Sequence, residues 1–205
     1  MESKLFFAKH VEEYQNSTYW NNDEEYIYKT YLKGKILIIG CGAGRVLAHI
    51  KGDVVAIDNV EGMVDASKKN FPQNNIQLMD ATNMNFEDNS FDSVFFPFHG
   101  MSFVHDKKAL YSEIARVLKP GGVAILNCGN RWFIKALKQI FIDPIEANGL
   151  TVYRNSWLEK FKLERYFKSV KVVYRISLQP IKNWKDRFYK TVPIISKSIY
   201  FICTK

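Results

Sequence analysis

The sequence predicts an α/β fold, a seven-stranded and mainly parallel sheet with helices on both faces. Three observations predict it. Short apolar runs alternate with amphipathic stretches from residue 35 to residue 128. These runs are rich in Val, Ile and Phe, as strands covered on both faces are. A glycine-rich turn, "GCGAG" at 40–44, separates the first run from the stretch after it.

Each element follows in order. Residues 5–15 and 22–33 read as two helices, the first with Leu5, Phe6, Val11 and Tyr14 as its apolar points. "KILII" (35–39) is a short buried strand, "GRVLAHI" (44–50) begins a helix, and "DVVAID" (53–58) is the second strand. "VEGMVDASKKNF" (60–71) has helical spacing and stops at Pro72. "NIQLM" (75–79) and "FDSVFFPF" (91–98) are strands three and four. "DKKALYSEIARVLK" (106–119) is an amphipathic helix with Leu110, Ile114, Val117 and Leu118 on one side. "PGG" (120–122) ends it, and "VAILNC" (123–128) is strand five. Beyond residue 130, "RWFIKALKQIFI" (131–142) and "WLEKFKLERYF" (157–167) read as helices. "SVKVVYRISL" (169–178) and "SIYFIC" (198–203) complete the seven strands.

With 205 residues, 47% hydrophobic and 15% aromatic, the chain has material for one well-filled domain. No run of 18 apolar residues occurs, and the first residues lack the pattern of a secretory leader, so the expected location is cytoplasmic. Cys41, Cys128 and Cys203 make neither a disulfide framework nor a metal spacing, which predicts structural thiols and no metal. The net charge of +8 is uneven: residues 130–205 hold 16 Lys/Arg against 5 Asp/Glu, interleaved with aromatics. That third is either a solvated basic surface or the side that meets an anionic partner, whether acceptor, RNA or membrane.

In a dinucleotide-binding turn the pattern is G-x-G-x-x-G, and here Arg45 stands where the last glycine belongs. That spacing counts against NAD and FAD. With this Rossmann-like turn, the segment 34–128 resembles the class I S-adenosylmethionine-dependent methyltransferases, especially the group acting on small molecules, lipids and sugars. Four stretches carry the resemblance: "ILIIGCGAGRVL", "VVAIDNVEGMVDASKKN", "IQLMDATNMNFEDNSFDSVFFPF" and "ALYSEIARVLKPGGVAILN". It implies S-adenosyl-L-methionine as cofactor. It implies a single domain, 1–205, with a helical cap (1–33), a cofactor-binding core (34–128) and acceptor-side elements (129–205).

The resemblance also assigns residues. Gly40, Cys41, Gly42 and Gly44 would form the cofactor turn. Asp58, with Asn59 after it, would accept the ribose hydroxyls, as an acceptor-only carboxylate can; the structural alternative is a strand-end carboxylate capping the next helix. Met63 would pack against the adenosine. Asp80 and Ala81 would read adenine, one through its carboxylate and the other through its N–H. The family's usual acidic residue two positions before the first glycine is Ile38 here. The cofactor's amino group would then rely on backbone carbonyls near Gly40 and around Phe96 and Pro97.

Methyl transfer from a sulfonium asks mainly for alignment, so a missing acid–base set does not argue against it. The histidine singled out as catalytic is His99, in "PFHGMSFVHD", as base for an acceptor hydroxyl or as an acceptor contact. The expected acceptor is a small molecule, lipid or sugar-containing compound, with an anionic one matching the basic C-terminal third. "PFHG" is not the clamp of amine-methylating DNA enzymes, and no Pro-Cys pair follows, so DNA is not expected. Two rivals stand beside this reading, an RNA methyltransferase and a degenerate partner subunit marked by Ile38. A nicotinamide-dependent oxidoreductase is disfavoured by Arg45.

Overall fold

The computed structural model describes residues 2–17, 20, 22–129, 145–147, 150–152, 159–174 and 198–205. Its strands are β1 (Ile36–Ile39), β2 (Val54–Asp58), β3 (Asn75–Leu78), β4 (Phe91–Phe96), β5 (Leu118–Gly129), β6 (Ile145–Ala147), β7 (Leu150–Val152), β8 (Ser169–Tyr174) and β9 (Ser198–Thr204). Its helices are α1 (Glu2–Lys9), α2 (Val11–Gln15), α3 (Asn22–Tyr31), α4 (Glu61–Asn70), α5 (Lys107–Val117) and α6 (Glu159–Leu163). Two 3-10 turns, Arg45–Ala48 and Gly100–Phe103, complete the set.

Seven strands form one sheet in the order β3-β2-β1-β4-β5-β9-β8. All pairings from β3 to β5 are parallel, and β9 runs antiparallel to both of its neighbours. The pleat sorts successive side chains onto opposite faces. Leu37 and Ile39 of β1 pack with Leu110, Ile114 and Val117 of α5 and Leu163 of α6. Ile36 and Ile38 pack the other way, with Ile27 of α3, Val46 and Leu47 of the first 3-10 turn and Val64 of α4. This two-sided burial is why the strands read as continuous apolar runs.

Three expectations are corrected, and one pairing is added. The helix expected to begin at residues 44–50 is a 3-10 turn of four residues. Residues 40–53 carry the entire crossover from β1 to β2, and the glycine turn takes up its start. Little remains for an α-helix. The helix expected at 5–15 breaks at His10. There the imidazole Nδ1 donates to the Phe6 carbonyl at 2.7 Å, and the His10 N–H moves to the Phe7 carbonyl at 3.2 Å. "PGG" does not precede β5 but lies inside it: Phe91 pairs with Leu118 and Ser93 with Val123, so the residues between bulge out. They are tied to the end of β9 by reciprocal backbone bonds of 3.1 Å between Gly121 or Gly122 and Lys205. Finally, β6 and β7 form an unexpected antiparallel hairpin with Ala147 opposite Leu150.

Of the C-terminal readings, the helix at 131–142, residues 175–178 of the strand expected at 169–178 and much of the basic, aromatic-rich third lie outside the described residues. Of the helix expected at 157–167, residues 159–167 are described, and α6 (Glu159–Leu163) is the helical part. Among the described residues, no helix is long and apolar enough to cross a membrane.

Candidate functional site

β1 is where the strand order reverses, with β2 on one side and β4 on the other. Ligands of open parallel sheets sit in the crevice beyond the carboxyl ends at such a point. The glycine turn lies there, and its glycines do different work. A Cβ on Gly44 (φ +96) would lie 2.5 Å from the Phe71 ring and 2.9 Å from Ser67 Oγ, so Gly44 seats the turn against α4. Around Gly42 (φ +54) nothing stands within 4 Å of the Cβ position. That open space belongs to a cavity.

Asp58 holds the turn in place. Its Oδ2 accepts from the Gly42 N–H at 2.8 Å and its Oδ1 from the Val60 N–H at 3.0 Å. The Cys41 N–H adds a 3.0 Å bond to the Ile57 carbonyl. Burial pushes the Asp58 carboxyl above the usual carboxylate range, against the N–H groups of Gly42, Val60 and Asn59, which pull it down. Each carboxylate oxygen has a second lone pair, so the structural and ligand readings of Asp58 are compatible. Burial also pushes the Cys41 thiol well up, as suits an inert packing residue.

The cavity encloses about 460 Å³ and is lined by Gly40, Cys41, Gly42, Asp58, Asn59, Met63, Asp80, Ala81, Phe96 and Pro97. Every cofactor residue expected from sequence is in that set except Gly44, which the Phe71 ring shields. Asp80 Oδ1 is oriented by the Thr82 N–H at 2.8 Å and the Thr82 hydroxyl at 2.7 Å. Ile38 is fully buried on the other face of the sheet, among Val46, Ala56 and Phe95, and offers the cavity nothing.

The N-terminal cap supplies one wall. Phe7 and Val11 pack against Ala43, Val60, Met63 and Ala66, and a Cβ on Gly62 would come within 3.1 Å of Val11 Cγ2. Asn70 Nδ2 donates to the carbonyls of Gln15 (3.1 Å) and Ala43 (3.4 Å), joining cap and glycine turn through one amide. Ser3, Lys4, Phe6, Phe7, Tyr14 and Ser17 face the cavity, and Phe7 meets Phe103 edge-on with centroids 5.2 Å apart.

The loop after β4 supplies the opposite wall and departs most from the sequence reading. Phe98 (φ +52) and His99 (φ +62) are both left-handed, which is uncommon for consecutive non-glycine residues. Buried Asn127 fixes them: its Oδ1 accepts from the His99 N–H at 2.8 Å, and its Nδ2 donates to the Ile199 carbonyl at 3.2 Å. His99 itself does not line the cavity, whereas Phe98 does. The Arg45 guanidinium lies over the Phe98 ring, with Cζ 3.3 Å from its centroid, and also lines the cavity. Trp20 meets Phe98 edge-on at 6.1 Å and stacks on His49 at 4.5 Å. Sequence reasoning treated Arg45 only as a missing glycine and passed over Phe98. The available signal was an aromatic run, "FFPFHG", beside a cation that follows a ligand turn.

Comparison with other proteins agrees with this geometry. Residues 37–126 match the family model described as a methyltransferase domain. A demethylmenaquinone methyltransferase from Staphylococcus saprophyticus is 44% identical over 101 residues, covering 44% of this chain and 42% of that protein. The chain thus spans less than half the length of that relative. Among solved structures, a SAM-dependent methyltransferase from Thermotoga maritima superposes with a TM-score of 0.69 at 20% identity, over 98% of this chain and 99% of that one. Phosphoethanolamine N-methyltransferase 2 from Haemonchus contortus, solved with S-adenosyl-L-methionine, gives 0.64 at 16% identity, over 100% of this chain and 57% of that one. Both share the fold. The stretch that matches the methyltransferase-domain model, residues 37–126, holds the glycine turn, Asp58 and Asp80.

Proposed function

We propose that the chain binds S-adenosyl-L-methionine in this cavity and transfers its methyl group to a small molecule with an apolar ring system. The observation that carries the reading is the make-up of one cavity, in which the carboxylates of Asp58 and Asp80 share the lining with the glycine turn and several aromatic rings. Asp58 and Asp80, which follow β2 and β3, are acceptors for a ligand end rich in donors, as ribose hydroxyls and an adenine amine are. Met63 and Ala81 offer an apolar surface between them. The Cβ-sized opening at Gly42 admits a ligand against the backbone of the turn. These residues fit the cofactor.

Beyond the turn, Phe6, Phe7, Phe98 and Phe103 line the same cavity. Such a wall suits a flat apolar acceptor, in line with the ring substrate that the staphylococcal relative's name carries. When bound, the cofactor supplies an activated methyl on sulfur. The chain's own part is to hold, orient and dehydrate. Asp58 and Asp80 fix one end, the aromatic wall excludes water, and the cap of α1 and α2 encloses the acceptor side. The new bond forms between the methyl carbon and the acceptor nucleophile as the methyl–sulfur bond breaks, and the acceptor's proton leaves to solvent. We assign His99 a positioning part through its N–H bond to Asn127. On that assignment His99→Asn, which tolerates the left-handed backbone, keeps turnover within about threefold.

The test is transfer of labelled methyl from S-adenosyl-L-methionine to a panel of hydroxylated bicyclic aromatics, including reduced naphthoquinones, beside aliphatic amines and short RNAs. Label in the ring compounds with equimolar S-adenosylhomocysteine supports the reading. Label confined to amines or RNA overturns the acceptor assignment.

A further inference from the structure

The cap brings a charge to the cavity as well as a wall. Along α1, Ser3 and Lys4 lie one turn ahead of Phe6 and Phe7, and all four line the cavity. Phe7 shows where that face of the helix points. Its ring packs with Met63 of α4 and meets Phe103 and Tyr14 edge-on, the latter with centroids 5.8 Å apart. Lys4, three residues before Phe7, therefore belongs to the aromatic wall. It is nonetheless exposed, which puts its ammonium at the solvent edge of the cavity.

Among the described residues four charged side chains line the cavity: Lys4, Arg45, Asp58 and Asp80. Three of them have work already. Asp58 holds the glycine turn, Asp80 is oriented by Thr82, and Arg45 lies over the Phe98 ring. Lys4 has neither a hydrogen bond nor an ion pair among the described residues. Two acids and two bases leave this lining without net charge. S-adenosyl-L-methionine brings a net positive charge, since its sulfonium and ammonium outweigh its carboxylate. An acceptor with a single negative charge neutralises the filled cavity, whereas a neutral or cationic one leaves it positive.

Resting on the ring-acceptor reading above, we propose that Lys4 is the specificity-determining residue for an acidic substituent on the acceptor. The ring lies along the aromatic wall, and a carboxylate at its outer end pairs with the Lys4 ammonium. The substrate class is a ring acid and not a neutral ring. Because the pair stands at the edge of water, its part is selection and capture more than tight binding.

The experiment is calorimetric titration of the S-adenosylhomocysteine complexes of wild type, Lys4→Gln and Lys4→Glu. The probes are a set of hydroxynaphthoates that differ in the position of the acid, each beside the matching hydroxynaphthamide, which has the same shape without the charge. An unfolding curve for each variant confirms an intact fold. Wild type is expected to favour at least one acid over its amide by about fivefold at low salt, as an exposed pair warrants. Near 0.5 M salt, roughly, that preference should shrink toward parity. Lys4→Gln is expected to bring acid and amide to within about 1.5-fold, and Lys4→Glu to favour the amide. Parity in wild type for every isomer overturns the proposal. So does a preference that survives in Lys4→Gln, which would place the selection on Arg45, or an equal loss of acid and amide in Lys4→Gln, which would make Lys4 a wall residue only. Failure of the wild-type complex to bind any ring, charged or neutral, instead overturns the ring-acceptor reading.

Discussion

At the residue scale, Asp58 is both strut and ligand group, since it accepts from the Gly42 and Val60 N–H groups and still faces the cavity. Burial raises its pKa, so its contribution to stability is fully present below its unfolded pKa and is lost as the pH rises through the folded value. Asp58→Asn should flatten that part of a denaturation-versus-pH profile. Cofactor affinity should move the other way, falling as acidification protonates an acceptor that the ribose hydroxyls need; titrations across pH with both proteins check this. The glycines divide similarly. Gly44→Ala drives a Cβ into Phe71 and should cost about 3 kcal/mol in urea unfolding. Gly42→Ala meets only open space, should cost about 1 kcal/mol for its left-handed backbone, and should abolish cofactor binding. Asp58 and Asp80 were legible in the sequence because strand ends fix where their carboxylates emerge. The contacts of Gly44 and Arg45 were not legible because their partners, Phe71 and Phe98, lie on other elements that only the folded chain brings near.

At the element scale, the cap and the loop after β4 are held by few, identifiable contacts. Gly62 lets Val11 settle on α4, so Gly62→Leu should lift the cap. The expected result is faster proteolytic cleavage before residue 20 with the unfolding midpoint of the core unchanged. Asn127→Ala removes the partner of the His99 N–H and should cost about 2 kcal/mol, with binding weakened as Phe98 loses its setting. Element type was readable wherever an apolar run was long and bounded. It failed where side chains rewrote the backbone pattern, as His10 does by taking the Phe6 carbonyl. It also failed where the crossover was too short for a helix, at Arg45–Ala48. The β6–β7 hairpin did leave a signal, since Asn148-Gly149 between short apolar pairs is the sequence mark of a two-residue turn.

For the molecule as a whole, one switch point governs the design. The sheet order sends β2 and β4 to opposite sides of β1, so the glycine turn has Asp58 at the end of β2 on one flank and Phe96 and Phe98 at the end of β4 on the other. The two-sided burial of these parallel strands was visible in the apolar runs. The covering of the cavity by α1 and α2 is tertiary and was readable only as the position of two helices ahead of the sheet. On this layout the cavity is built for S-adenosyl-L-methionine and not for a dinucleotide. The deciding measurement is separate calorimetric titration of the intact chain with S-adenosylhomocysteine and with NADH. One-to-one binding of S-adenosylhomocysteine in the micromolar range with no heat from NADH is the expected result; saturable NADH binding, with none for S-adenosylhomocysteine, would overturn it.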